Sequence, residues 1–600
     1  MPRWTTVLWG VLAGLVAAIP AIMILWGAWL LPALGLLWTR VNAVYGAWSI
    51  FLVGAVGGAV YGLVLGKTKL NPLWTTVVGL GAGAVAWFGV ALVFIPLLLG
   101  FPPEIRDASR HWMSLVAFLA WGIVLALLYS RWAVRQSIGR VGWAAAITFV
   151  AVLTAPLLLR FAISTSPRSL AVPKGYRAEV VTKGLTYASS LALASDGTIY
   201  VGESGYAYGP KTARARVLAV SPKGQVSEVA AGFFEPLNGL ALSGDDLYVS
   251  HRGVISVVNL RTGARRDVVT GLPSGGDHQN NDLVLGPDGM LHFGQGTVTN
   301  SGIVGPDNFV YAWADAHPEY HDIPSRDWTL TGGNYPSPDL RTRNWADNVF
   351  TGAFTAFATT HKAGDKVTGG TPASGTIIRL DPRTGKMETF ADGFRNPYGL
   401  AFDKAGQLYA TNLGYDDRGP RAVKNSPDWV VKVRRGAWYG WPDYAGTVPL
   451  ADPRFASDRG RDRNPLISNH PAVEAPLATL AAHESPTKMA VATAAFGDEG
   501  GLYVGAFGDG QPLTGRDFKP TPTGVLRVDP VTGQATWFVR NKNRPRAGRF
   551  VQGFKRITAV RFNQTGDSLY VLDFGVMEFT TMAPNAIPHT GVLWKVSKVK

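Results

Sequence analysis

The 600-residue sequence contains no cysteine. That excludes disulfides, thiolate metal sites, iron–sulfur clusters, covalently attached c-type haem and cysteine nucleophiles. Charged residues are scarce too, at 16% against 47% hydrophobic, a balance unlike that of a disordered or nucleic-acid-coating chain. Acid is missing from one end in particular. Of the 57 Lys/Arg and 42 Asp/Glu, eleven and two fall in the first 170 residues, leaving 46 and 40 in the rest. The net charge of +15 therefore averages a basic, nearly acid-free N-terminal part and an almost balanced remainder. No P-loop, G-x-S-x-G or G-x-G-x-x-G-then-helix signal is present, which removes the common nucleotide-binding and serine-hydrolase motifs.

What the first part does contain is long charge-free runs, at 4–39, 41–66, 70–103, 111–130 and 141–159. Each holds the ~20 apolar residues of a spanning helix. Five spans are expected, near 7–30, 44–66, 74–99, 112–130 and 142–163. A cleaved leader would account for the first run alone. Arg3, Lys67, Lys69, Arg131, Arg135 and Arg140 fall on one side of these spans. Arg40, Arg106 and Arg110, offset by Glu104 and Asp107, fall on the other. The bias predicts a cytoplasmic N-terminus, with everything after about residue 165 outside, in a periplasmic or extracellular space. Gly54, Gly57, Gly58 and Gly62, and Gly79, Gly81, Gly83 and Gly89, predict close helix contacts. No span carries an acidic residue or an internal histidine, where an ion path would show. Residues 1–165 are thus read as a lipid-contacting anchor, with a quinone pocket between helices left open.

After a linker at 166–175 the texture changes to short β-branched and aromatic runs broken by Gly, Asp and Pro. One unit recurs six times: "LALASDGTIYVGES" from 191, "LALSGDDLYVSH" from 240, "DLVLGPDGMLHFGQ" from 282, "LAFDKAGQLYATN" from 400, "AAFGDEGGLYVGA" from 494 and "VRFNQTGDSLYVLD" from 560. Outer strands follow, such as "RVLAVSPKGQV" from 216 and "VLRVDPVTGQATWF" from 525. Repeats of this kind cannot bury both faces alone and predict a six-bladed, all-β propeller over 176–600. Two stretches, 297–373 and 443–484, exceed a plain blade and are read as inserts on a functional rim.

Ligands of propellers sit at one mouth of the central channel, so residues flanking the innermost strands are the candidates. "GGDHQNNDLVLGPDG" places Asp277 and His278 before one such strand. "GFRNPYGLAF" places Arg395 and Asn396 before another, with "NLGYDDRG" at its partner's exit, and "GFKRITAVRF" places Lys555 and Arg556 before the last.

With "GAWYGWPD", these motifs resemble, in order, the glucose/sorbosone dehydrogenase family, six-bladed quinoproteins that use pyrroloquinoline quinone (PQQ). The resemblance implies a PQQ- and Ca²⁺-dependent sugar dehydrogenase, here fused to a membrane domain. It implies that His278, paired with Asp277, is the general base taking the hydroxyl proton. An imidazole titrating near neutrality suits that task. It implies further that Arg395, Asn396 and Arg556, helped by Lys555, face PQQ, whose three carboxylates call for guanidinium forks. Gly414 and Tyr415 would offer backbone carbonyls to Ca²⁺. The sequence departs from the family at three places: Thr558 replaces a second arginine, Leu413 replaces a glutamine, and the fifth blade offers no aligned lysine, leaving Lys488, Lys519 or Arg516 as substitutes.

The expected substrate is a sugar or polyol, with electrons passing to a membrane quinone or a separate acceptor and no role for nucleic acid. Two other readings stand beside this one. A calcium-dependent, lactonase-like hydrolase would use Glu203, Asn238 and Asn281, each at the end of an inner strand. A non-catalytic binding propeller would have lost its PQQ site.

Overall fold

The structure, a computed structural model, describes residues 3–27, 30–34, 43–98, 105, 108, 111–134, 165–205, 214–310, 313–342, 347–458, 462–510, 521–542, 551–579 and 584–599. Four of the charge-free runs form helices long and apolar enough to cross a membrane. They are α1 (Arg3–Gly27), α2 (Ala43–Leu65), α3 (Pro72–Ala86, continued by a π-helical stretch Trp87–Phe94) and α4 (Trp112–Trp132). The fifth expected span, near 142–163, lies outside the described residues. Asn71 starts α3 by accepting the Trp74 N–H at 2.8 Å, with Pro72 at the first helical position, the usual starting arrangement.

The glycines work as the spacing predicts, though not all of them. Gly10 and Gly14 of α1 lie against Gly54 and Gly58 of α2, so that a Cβ on Gly58 would sit 2.1 Å from the Gly10 carbonyl oxygen. Gly79 of α3 meets Gly122 of α4 equally closely, whereas Gly81 and Gly89 face open space. Small residues let backbones approach where lipid supplies no hydrophobic drive between helices. Trp121 uses that proximity to donate its indole N–H to the Gly14 carbonyl at 3.2 Å. Gly58→Leu is accordingly expected to push α1 and α2 apart, at a cost of at least ~1–3 kcal/mol. Thermal unfolding in detergent reads the loss, and an unchanged midpoint would contradict the contact. The apolar pocket between α1, α2 and α4, lined by Ala21, Leu25, Ile50 and Trp121, has a volume of only about 10 Å³, far below the ~300 Å³ lower end of small-molecule sites.

The second unit, Ser164–Phe579 with Ala586–Lys600, is a six-bladed propeller. Each expected strand pair is present, beginning in the six blades at Ala188, Leu237, Asn280, Asn396, Pro486 and Ile557. The innermost strands touch in that order and the last returns to the first, closing the ring. Five blades take four strands in sequence order, the fifth adding Leu170–Ala171 at its edge. In the sixth, Ile557–Phe562, Ser568–Asp573 and Gly591–Lys598 are completed by Tyr176–Leu185, paired along Gly591–Lys598. Residues 166–175, expected as a linker, thus contain the Leu170–Ala171 edge strand. The fourth strand of blade four, Ala478–Ala482, corrects the insert expected at 443–484. Its alanine-rich sequence lacks the β-branched texture that marks the other strands.

Every innermost strand carries a register shift near its start. Such bulges re-aim side chains, and here they accompany hydrogen bonds from each blade to the next. Ser189 donates to the Leu237 carbonyl, Asn238 to Asn280, Asn281 to Pro397, Thr411 to Thr487, Thr487 to Ile557 and Thr558 to Ala188. The six bonds complete a circle.

The two inserts, between Gln295 and Thr376 and between Lys432 and Ala478, pack on each other. Leu330 bridges to Ile467. Fully buried Arg421 joins them, donating to the carbonyls of Ser301, Pro442 and Asn464 and to the Asp443 carboxylate at 2.8 Å. Trp328, Trp438, Trp441, Phe354 and Phe455 fill the core around them.

Candidate active site

The innermost strands of a propeller all run the same way, so the segments leading into them gather at one mouth. Polar side chains at the ends of second strands hold these segments. The Asn412 side chain accepts the N–H groups of Arg395 and Asn396 at 3.2 and 3.0 Å. The buried Asp573 carboxylate does the same for Lys555 and Arg556 at 2.8 and 2.9 Å. The candidate residues are thus fixed through their own backbone.

His278 is partly exposed. Its Nδ1 lies 2.8 Å from the Thr297 carbonyl oxygen. A carbonyl only accepts, so Nδ1 carries the hydrogen and Nε2 keeps a lone pair. Burial, reinforced by the Arg395 guanidinium, lowers the imidazole pKa to about 3 against the pull of Asp277. The ring is therefore neutral throughout the physiological range. Gly296 makes room for it: a Cβ there would sit 2.4 Å from His278 Cβ and 2.7 Å from Asn396 Oδ1, so these two side chains flank one glycine.

Asp277 does not orient His278 as a triad carboxylate would, since Nδ1 is taken by Thr297. Its Oδ1 accepts from Asn308 at 3.0 Å and from the Trp313 indole at 2.8 Å, and its Oδ2 pairs with Arg418 at 2.7 Å. Arg418 also reaches Asp307 at 2.6 Å and Asp416 at 3.0 Å. Arg395 closes the network, bonding Asp416 Oδ2 at 2.6 Å, the Gly414 carbonyl at 2.6 Å and the Asn300 carbonyl at 3.2 Å. Three carboxylates thus share two guanidinium groups below the histidine. Burial raises Asp307 to about 6 despite Arg418. It also opposes ionisation of Asp416, but Arg395 and Arg418 overcome it and hold that group below its ordinary value.

These contacts bear on the metal expectation. The Gly414 carbonyl, read as a calcium ligand with Tyr415, already accepts a guanidinium proton, and Leu413 beside it offers only hydrocarbon. Gly414 thus serves Arg395 as an acceptor, and its expected role as a calcium ligand with Tyr415 stays a proposal. Among the described residues no group of three or more His, Cys, Asp or Glu is placed to hold a metal ion.

The anion side differs. Arg556 donates to the carbonyls of Met577, Phe507 and Asp509 and lies over the Phe507 ring. Lys555 is fully buried, and among the described residues its Nζ has no hydrogen-bond partner. Burial lowers its pKa, against the pull of Asp573. A buried ammonium without an acceptor is costly, so this one fits an anionic ligand such as a PQQ carboxylate. Lys488 is engaged: its Nζ donates to the Ser189 carbonyl at 2.8 Å and lies 4.5 Å from the Tyr398 ring centre. Lys519 and Arg516 lie outside the described residues.

Thr558 and the hydrolase candidates find other uses. Thr558, Asn238 and Asn281 are members of the blade-to-blade circle, and Glu203 binds Arg216 at 2.7 Å and the Thr186 N–H. Sequence reasoning missed Thr297, Asn308, Trp313 and Arg418. Only the arginine had a signal, in the Asp-Asp-Arg-Gly run that closes the 412–419 loop.

No family model matches the chain. Over 184 residues it is 26% identical to quinoprotein glucose dehydrogenase B of Acinetobacter calcoaceticus, covering 30% of this chain and 29% of that relative. The chain resembles a quinoprotein glucose dehydrogenase. The match spans under a third of that relative's length. Similar solved structures include the PQQ-bound aldose sugar dehydrogenase of Streptomyces coelicolor, at 18% identity and TM-score 0.40, covering 71% of this chain and 99% of that one. The holo PQQ domain of pyranose dehydrogenase from Coprinopsis cinerea gives 15% identity and TM-score 0.46, covering 72% and 98%. At such identity the likeness concerns fold and no more.

Proposed function

We propose that this protein is a membrane-anchored, PQQ-dependent oxidoreductase acting on an aldose, a sorbosone-type sugar or a related polyol outside the cytoplasm. The observation that carries the reading is the His278 imidazole, neutral and tautomerically fixed, with Nε2 as its acceptor atom. Such a group can accept the proton of a substrate hydroxyl, but with its pKa lowered to about 3 it is a weaker base than the near-neutral imidazole expected from the sequence. PQQ, when bound, supplies the two-electron acceptor for the hydride of the same carbinol carbon. The Lys555 ammonium, with no hydrogen-bond partner among the described residues, would together with Arg556 hold its carboxylates, while Asn396 adjoins the base across Gly296. Asp277, Arg418 and Arg395 position rather than react, and the guanidinium charges keep His278 unprotonated between turnovers.

The helices would anchor the propeller, N-terminus inside, and a membrane quinone or a separate acceptor would receive the electrons. The full-length protein in detergent, titrated with PQQ and assayed for dye reduction with aldoses, tests this reading. Absence of PQQ binding would overturn it.

The pH dependence follows from His278. Its pKa is lowered, so the reactive neutral form is fully present above about pH 4 and is lost as pH falls through about 3. The kcat/KM profile is expected to show no inflection near the ordinary histidine value of ~6.5. A half-titration at that value, removed by His278→Gln, would contradict the assignment.

A further inference from the structure

The first insert reaches the base at one remove, through the peptide group that joins Thr297 to Val298. The carbonyl end of that peptide accepts the His278 Nδ1–H at 2.8 Å and the His278 backbone N–H at 3.2 Å. Its N–H end donates to Asp322 Oδ1 at 2.6 Å. Asp322 is buried, and its second oxygen accepts the Thr299 hydroxyl at 2.5 Å, while Thr299 Oγ1 in turn accepts the Gly302 N–H at 2.9 Å. Carboxylate, peptide and imidazole thus form one continuous chain of hydrogen bonds. The Thr297 hydroxyl, 3.2 Å from Nδ1, donates to the Thr299 carbonyl at 2.6 Å and so can only accept from the ring. Val298 is buried too. Without Asp322 its N–H would lose this acceptor, and an unpaired buried N–H is costly. The peptide relieves that cost by rotating, which takes the Thr297 carbonyl off the ring. Burial raises the Asp322 carboxyl to about 7 against the Thr299 hydrogen bond. A proton on Oδ2 would pass to the Thr299 hydroxyl, which has a lone pair to spare, so Oδ1 accepts the Val298 N–H in either state.

We infer that Asp322 is a positioning residue for His278: by holding the Val298 N–H it aims the Thr297 carbonyl at Nδ1, and so keeps the proton-accepting nitrogen of the ring at Nε2. Asp277, although next to the histidine in sequence, is turned to Arg418 and Trp313 and does not do this. The insert thereby takes part in the chemistry without touching substrate. The consequence for rate rests on the role of His278 proposed above, whereas the tautomer of the ring does not.

The test uses the full-length protein in detergent, labelled with ¹⁵N-histidine and studied by NMR at about pH 8, above the ordinary histidine pKa. Loss of one of the ten imidazole signals in His278→Gln identifies the ring. The parent is expected to show Nδ1–H alone at His278, and Asp322→Ala a mixture with the Nε2–H form. In the same variant kcat for sugar oxidation should fall ~10-fold, with KM and the Kd for PQQ within about twofold, because only rings with Nε2 free can take the proton. Asp322→Asn, which restores an oxygen for the Val298 N–H, should keep the tautomer and a rate within about threefold of the parent. Should Asp322→Ala fail to fold, Thr299→Val, which releases the other carboxylate oxygen, is expected to admit the second tautomer. Nδ1–H alone in a folded Asp322→Ala, or failing that in Thr299→Val, would overturn the inference, as would an Asp322→Asn ring as mixed as that of Asp322→Ala. If the tautomer shifts while the parent neither binds PQQ nor oxidises sugars, the role of Asp322 stands and the quinoprotein reading falls.

Discussion

His278→Ala is expected to lower kcat for sugar oxidation by ~10²–10⁴, the usual contribution of a positioned general base. PQQ affinity should remain within a few-fold of the parent, because in the proposed reading His278 serves the substrate while Lys555 and Arg556 hold the cofactor's carboxylates. Steady-state dye reduction reads the first quantity, and fluorescence titration of the apoprotein the second. The combination is what discriminates: a loss of turnover with retained cofactor binding assigns the base, whereas full activity in the variant would remove His278 from the chemistry. His278→Gln, which restores a side chain that can bond to the Thr297 carbonyl, should recover stability without recovering rate.

Arg421→Ala is expected to destabilise the propeller by ~3–5 kcal/mol, the cost of leaving one partner of a buried ion pair alone. Both Arg421 and Asp443 have side chains wholly withdrawn from solvent. Removing the guanidinium leaves three backbone carbonyls without this donor and, among the described residues, a carboxylate with only the N–H groups of Leu466 and Ile467. Denaturant unfolding of the full chain, followed by tryptophan fluorescence, measures the loss. The inserts hold many of the buried tryptophans, so the signal should come from that region first. A variant within ~1 kcal/mol of the parent, as a surface pair would give, would contradict the burial described.

How much of this could be read from the chain alone varies from element to element. The six inner strand pairs were legible because each carries a period-2 apolar run and most carry a Gly- or Asp-containing turn, signals that need no partner. Ala478–Ala482 was not, since alanine, which fills three of its five positions, carries little β signal. Tyr176–Leu185 has strand character, but its pairing with Gly591–Lys598 depends on closure of the ring. At the site, His278, Arg395 and Lys555 were visible through their motifs. Their surroundings were not. Asn308 and Trp313 lie on an insert without repeat or period, and only the fold brings them onto Asp277. Thr558 looked like a lost arginine, yet its hydroxyl completes a circle of blade-to-blade hydrogen bonds that no local pattern announces. The bond between Arg395 and Gly414 was hidden for a related reason: a motif shows that both residues are present, but not that one is bonded to the other.

The sixth blade also bears on how the propeller is made. Its outermost strand, Tyr176–Leu185, is among the first propeller segments to leave the ribosome, and its partner, Gly591–Lys598, is the last. During synthesis the early strand has a bare edge, and the ring stays open until the final strand arrives. Contacts so distant in sequence form slowly, and an unpaired strand edge invites association with other chains. A chain lacking Gly591–Lys598 would therefore leave Tyr176–Leu185 without its partner strand.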